Sequence, residues 1–427
     1  MLLRSRSTAV WAAFALVHAW LAYVGVVLAP AASFHDVDLY RWWMWLGTAH
    51  GIWPVLDGPW VYPAGAIVPM VLPALGSATS TTAYAIGWCL LVTILDGVAV
   101  AALLRHGRRG ALAAAWWLAF LAALGPVAMG RLDGVVAPVL VLALLAAARR
   151  PRLAAALLTV GAWIKVAPGA VLLPLAVVAR RPVRDVVLPA AAVSAVVVAA
   201  VAVGGGLADV GSFLTTQTGR GLQIESVAAT PWIIGQAVDG SEPVLRLNEE
   251  LVTWELTPPE TTDVAKALDV ALALSAGAAA GLIWWAGRRG RAGLALLPGA
   301  LLLLSLLVVV NKVGSPQYLS WLAPPVVALL AGRSARWGRW LPSAAALLLV
   351  AAGLTQVVFP WGYEDLLTGE LGVALALAVR NVLLVGLVLL AVAGLVQAGR
   401  TEAGRTSASD ADAPAGARAP DADPASP

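Results

Sequence analysis

The stretch HDVDLYRWWMWLG, residues 35–47, sets two carboxylates, an arginine and three tryptophans directly after an apolar run. A carboxylate in a partly dry cleft can take the proton from a hydroxyl as that hydroxyl attacks an electrophilic carbon, the role of a general base. On a helix that begins near Asp36, Tyr40, Trp43 and Gly47 share its face, while Asp38, Trp42, Trp45 and Ala49 share another. Only one of the two aspartates can then face a given reacting atom. Asp36, on the Tyr40 face, is the candidate base. The same residues also read as a capping acid on an interfacial helix, with the tryptophans at headgroup level.

Further polar clusters interrupt apolar sequence downstream. GRLDG carries Arg131 and Asp133, WIKVAPG carries Lys165, TGRGLQIESVAATPW carries Arg220 and Glu225, and NKVGSPQYLSWLAP carries Lys312, Gln317 and Tyr318. Their cations could hold an anion such as a phosphate. Local readings stay open: an Arg131–Asp133 salt bridge, a loop-ordering Arg220–Glu225 pair, and helix-end roles for Pro168 and Pro316. The lysines of the chain are Lys165, Lys266 and Lys312, so two of them fall in these clusters while the connecting loops use arginine. A compact ammonium suits a point contact. Arg380 lies inside the apolar run LGVALALAVRNVLLVGLVLL, where a cation is costly and marks function by default. A lipid phosphate is its expected partner, with an acid or carbonyl inside the bundle as the alternative. Asp96, also intramembrane, reads as structural.

What positions these groups is a membrane. The chain of 427 residues is 60% hydrophobic and 12% charged, with a mean hydropathy of +0.84, beyond the range of soluble domains. An all-α integral membrane protein is expected. The first apolar run, 8–30, lacks a cleavage-site pattern and reads as a retained helix. Arginine clusters at Arg4/Arg6, Arg105/Arg108/Arg109, Arg149/Arg150/Arg152, Arg180/Arg181/Arg184, Arg288/Arg289/Arg291, Arg333/Arg336/Arg339 and Arg400/Arg405 mark cytoplasmic connections. Consecutive clusters need an even number of crossings between them. The interval from Arg152 to Arg180 is too short for two full spans and predicts two short helices hinged near Lys165 and Pro168. About twelve helices result, with both termini cytoplasmic in the plasma membrane. Residues 1–399 form the membrane domain, with long outer loops at 31–82 and 204–262 and a disordered tail over 400–427. Arginine placement between apolar runs, despite a pI near 9.5, argues against nucleic acid as a partner. The single Cys89 lies in an apolar run and offers neither a disulfide nor a cysteine metal cluster.

DVDLY, then GxxP and YP, RLD, IKxxP, RGLQIES and SPQYLxW, in that order over residues 5–397, resemble glycosyltransferase family 87. More closely, they resemble its polyprenol-phosphate-mannose-dependent mannosyltransferases of actinobacterial type. The resemblance implies a GT-C fold, a transmembrane bundle with its active site on the outer face and a catalytic aspartate in the first outer loop, matching Asp36. Relatives often read EYPP where this chain has VYPA at 61–64, which leaves Asp57 as the candidate second acid from that segment.

On that reading, Asp36 deprotonates an acceptor hydroxyl, with Asp38, Asp57 and Glu225 as other candidate acids. Arg380, Lys312, Lys165, Arg131 and Arg220 are candidates for the donor phosphate, and Tyr40, Tyr62, Gln317 and Tyr318 for the sugar and acceptor cleft. The partners are a polyprenyl-phosphate-linked sugar, a lipid or glycan acceptor of the cell envelope, and membrane lipids. No cofactor is expected, and no metal, because His35 and His50 lack ligand spacing. A lipid-linked sugar flippase or transporter, or a scaffold subunit, is the alternative. Transporters, however, place polar residues near the midplane and often show inverted repeats, whereas this chain keeps its polar clusters on one side and shows no repeat.

Overall fold

The computed structural model describes residues 2–216, 219–239, 245–249, 253–289, 292–332 and 338–400. The tail from residue 401, Arg405 included, and three further cluster arginines, Arg291, Arg333 and Arg336, lie outside them.

In chain order the helices begin with α1 (Leu2–Tyr23), the single turn α2 (Pro30–Ser33), α3 (His35–His50), α4 (Ile67–Ala74), α5 (Thr81–Leu104) and α6 (Gly107–Leu124). There follow α7 (Asp133–Ala146), α8 (Pro151–Ile164), α9 (Leu172–Val178), α10 (Leu188–Val203), α11 (Ser212–Thr215) and α12 (Thr230–Asp239). The last third holds α13 (Pro259–Arg289), α14 (Ala292–Val309), α15 (Leu319–Ala331), α16 (Trp340–Gln356), α17 (Tyr363–Leu367) and α18 (Leu371–Arg400). Most residues of α7 and nearly all of α15 are buried, and these two helices pack on each other. A helix apolar on all sides belongs in such a buried setting or in lipid. By contrast α10 and α13 expose most of their apolar side chains, as lipid-facing helices do.

Among the described residues eight helices are long and apolar enough to cross a membrane, from Arg6–Leu28 to Leu371–Arg400. The expected total of about twelve exceeds that number. The difference lies in α7, α8, α9 and α15, of 14, 14, 7 and 13 residues. At ~1.5 Å per residue the longest of these gives about 21 Å, short of a hydrocarbon core of roughly 30 Å. The two short helices expected between Arg152 and Arg180 are α8 and α9, and α8 stops at Lys165, whose backbone is extended.

The segments 31–82 and 204–262 hold more regular structure than long loops would. The first contains α2, α3 and α4. The second contains α11, α12 and a small antiparallel hairpin, β1 (Leu245–Asn248) with β2 (Thr253–Leu256), which departs from a purely helical fold. The hairpin is extended by the stretch RGLQIES: Leu256 N–H bonds the Leu222 carbonyl at 2.9 Å and Ile224 N–H bonds the Trp254 carbonyl at 3.2 Å. Alternation along this extended stretch sends Leu222 and Ile224 into a separate apolar core with Ile233, Leu256, Leu366 and Leu377. Gln223 and Glu225 are thereby turned the other way, into a cleft.

Candidate active site

The cleft has a volume of ≈ 700 Å³ and opens among the connections at one end of the bundle. Of the helices that reach it, α7, α8, α14 and α15 each have an arginine-bearing connection at their opposite end. Its polar lining includes Asp36, Tyr62, Arg131, Lys165, Arg220, Glu225, Gln317 and Tyr318, set among Trp43, Phe213, Trp254, Trp321, Phe359 and Tyr363. Five sequence clusters distant along the chain are thus brought together.

Asp36 sits in the first turn of α3, where the helix N-terminus favours an anion. Arg131 Nε lies 3.2 Å from its Oδ2. Arg131 is itself held by the carbonyls of Ser33 and Gly130, at 3.2 and 3.1 Å, and its guanidinium lies over the Phe359 ring. Burial pushes the Asp36 carboxyl up, but Arg131, the His35 contact and Lys165 outweigh it and hold the group below the usual carboxylate range. Asp36 is therefore an anion at neutral pH. His35 Nδ1 stands 3.9 Å from Asp36 Oδ1 and also lines the cleft.

The local Arg131–Asp133 pair does not form the contact expected of it. Asp133 is fully buried, accepts from Trp321 Nε1 at 2.6 Å and stands 3.8 Å from Lys165 Nζ. Lys165, at the broken end of α8, points over the Tyr62 ring, with Nζ 4.9 Å from the centroid. Trp321 stacks on Tyr318, centroids 4.1 Å apart. One acid thus fixes both a cleft cation and an aromatic wall.

Arg220 and Glu225 also reach the cleft, and each carries a buried atom without a hydrogen-bond partner among the described residues: Arg220 Nε and Glu225 Oε1. Glu225 is 2% exposed. Burial pushes its carboxyl up to about 7 against the pull of Arg380 and Arg131.

Several expected placements are corrected. Arg380 does not line the cleft: it is buried in α18, and Nη2 donates to the Glu225 main-chain carbonyl at 2.5 Å. The carbonyl alternative describes it. Lys312 is likewise withdrawn from the cleft, its Nζ donating to Asp269 of α13 at 2.9 Å. Asp38 turns away from Asp36, accepts from Arg41 Nε at 2.6 Å and Thr81 Oγ1 at 2.9 Å, and so ties α3 to the start of α5. Asp57 is exposed and accepts the Trp53 N–H at 2.7 Å, closing a turn, while Val61 of VYPA lines the cleft. Tyr40 is buried behind the lining, stacked on Trp43 and with its hydroxyl taking the Leu132 N–H at 3.4 Å. The aromatic residues Phe359 and Tyr363, with Glu364, also reach the cleft. The turn-rich connection FPWGYED between two apolar runs was their available signal.

Residues 60–310, more than half of the chain, match the model of glycosyltransferase family 87. The chain belongs to that family. No curated protein matches it. Of the cleft residues, Tyr62, Arg131, Lys165, Arg220 and Glu225 fall within the family match, whereas Asp36, Gln317, Tyr318 and Phe359 lie outside it. As a family 87 glycosyltransferase built on apolar membrane helices, the protein needs a sugar donor, an acceptor and surrounding lipid. A cleft with an ionised carboxylate, several cations and aromatic walls has the groups such a transfer uses.

Proposed function

We propose that the protein transfers a mannosyl group from polyprenyl phosphate to a hydroxyl of a cell-envelope lipid or glycan, with inversion at the anomeric carbon. The observation that carries this reading is the convergence of anionic Asp36 with Arg131, Lys165 and Arg220 in one cleft at the helix ends. A position at the helix ends, rather than halfway along them, favours an enzyme over a carrier.

In the transfer, the acceptor oxygen bonds to C1 as its proton passes to Asp36. The C1–O bond to phosphate breaks, and its electron pair leaves with the phosphate. A phosphate monoester is a leaving group of low basicity, so it needs fixed positive charge more than a proton. Arg220, with its unpartnered Nε, and Lys165 supply that charge. Lys165 stays protonated: burial pulls its pKa down, but Asp133, Tyr62, Tyr318 and Asp36 raise it further. Arg131 orients Asp36. Tyr62, Gln317 and Tyr318 line the space for sugar and acceptor. The arginine connections lie on the cytoplasmic side, so the cleft faces outward, both termini face inward, and residues 1–399 form one domain of about twelve passes with α7, α8, α9 and α15 as partial helices.

The test is single-turnover release of polyprenyl phosphate from polyprenyl-phosphate-mannose by purified protein in detergent, with a panel of hydroxyl acceptors. Acceptor-dependent release supports the reading. Donor binding without release under any acceptor would leave a carrier as the better description.

A further inference from the structure

Glu225 presents a contradiction that the transfer chemistry above does not use. Its main chain is heavily engaged. Arg380 holds its carbonyl, Asn381 reaches the next carbonyl at Ser226, and Gly314 lies so close to the Glu225 main chain that any side chain there would overlap it. Its carboxyl, by contrast, lines the cleft while 2% exposed, and Oε1 has no hydrogen-bond partner among the described residues. Leaving a buried acceptor unmade is unfavourable, and in native structures such a group usually has a specific explanation. Two elements are spent on aiming this side chain, and no group among the described residues receives Oε1.

The surroundings decide what could. Arg131 stands by Asp36 at 3.2 Å and also acts on Glu225 through charge, so the two acids flank one guanidinium. Arg380 and Tyr363 are the other charged or titratable groups that face Glu225. Among the described residues Arg220 leaves its buried Nε unpartnered in the cleft, and Lys165 lies against the Tyr62 ring. Phosphate thus has cationic partners of its own, and Glu225 in its ionised form would repel it. A sugar hydroxyl has neither problem, because it both donates and accepts.

On the reading that the donor is a lipid-phosphate-linked hexose, we propose that the Glu225 carboxyl binds a hydroxyl of the hexosyl group being transferred, and not the lipid phosphate. Asp36 then serves the attacking oxygen, Arg220 the leaving phosphate and Glu225 the sugar held between them. Because its carboxyl sits near half-protonation at neutral pH, it can accept from one hydroxyl or donate to it. The clamp from α18 makes Arg380 and Asn381 positioning residues for this contact.

The test compares two ligands of equal chain length, polyprenyl-phosphate-mannose and sugar-free polyprenyl phosphate, by equilibrium binding to wild type and variants. Glu225→Gln, which keeps the shape, is expected to weaken binding of the sugar-bearing lipid about tenfold, and Glu225→Ala roughly tenfold to a hundredfold, the range for a hydrogen bond to a charged group. Affinity for the sugar-free lipid stays unchanged. Arg220→Met should weaken both. Equal losses for the two lipids in Glu225→Gln, or no loss for either, would overturn the assignment of Glu225 alone. A wild type that binds neither lipid sinks the donor reading and the assignment with it. Thermal melts of each variant keep a folding defect from passing as a binding loss.

Discussion

Arg131 Nε lies 3.2 Å from Asp36 Oδ2, joining the first turn of α3 to the connection that precedes α7. The contact holds the Asp36 pKa below the usual carboxylate range. Arg131→Met removes the main pull in that direction, so the Asp36 pKa rises and the acid limb of the pH–rate profile moves to higher pH. Stability follows the same sign. A depressed folded-state pKa contributes stability that is present above the unfolded pKa and lost as pH falls through the folded value. The variant should lack that contribution, and melting curves across the acid range check it.

Asp36 and Asp38 are two residues apart on a helix and point to different surroundings, one to the cleft and one to Arg41 and Thr81. Asp36→Asn keeps shape and removes basicity. It should retain donor binding and lose transfer by about two to four powers of ten. Asp38→Asn loses a partly exposed ion pair, worth roughly 0–1 kcal/mol, and should stay within a fewfold of wild-type rate. Single-turnover assays of both in the same detergent compare them directly. A dead Asp38→Asn enzyme would mean that the wrong acid has been assigned.

The membrane class, the hinge at Lys165 and the separation of Asp36 from Asp38 were legible in sequence because each follows from local periodicity, composition or charge. Partner choice was not. Arg131 bypasses nearby Asp133 for Asp36, and Asp133 instead receives Trp321 and faces Lys165. Such pairings are set by how α7, α8 and α15 pack, and no window of sequence contains them. Arg380 shows the same limit: a cation in an apolar run must have a partner, yet only the fold reveals that the Glu225 carbonyl is one. The β1–β2 hairpin escaped because its strands are four residues each, too short for alternation to register.

That correction changes what Arg380→Met should do. The Glu225 carbonyl loses a charge-assisted donor in a buried setting, which costs about 1.5 to 3 kcal/mol. The expected result is a lowered melting temperature with affinity for sugar-free polyprenyl phosphate close to wild type. A selective loss of phosphate affinity in a stably folded variant would return Arg380 to the ligand site.

The orientation is open to single-cysteine labelling in a Cys89→Ser background. Glu364 and Arg108 are both exposed, the first at the cleft end of the bundle and the second in an arginine connection. Glu364→Cys should react with an impermeant maleimide on intact cells, and Arg108→Cys only after lysis. The reverse pattern would place the cleft on the cytoplasmic side.

Glu225 gives a pH signature of opposite sign to Asp36. Its folded-state carboxyl is pushed up to about 7 by burial, from an ordinary value of 4.5. The protonated form is therefore the one the fold favours. Between those two values the unfolded chain has released the proton while the folded chain still holds it, so stability falls as pH rises from about 4.5 and levels off above about 7. Glu225→Gln carries no titrating proton and should not show this decline. The measurement is the difference in melting temperature between wild type and Glu225→Gln across that window, which cancels the other titrating groups. A wild-type melting temperature that falls relative to Glu225→Gln as pH rises supports a carboxyl held protonated by the fold. A flat difference would mean that Glu225 is ionised throughout, stabilised by Arg131 and Arg380 more strongly than burial opposes it.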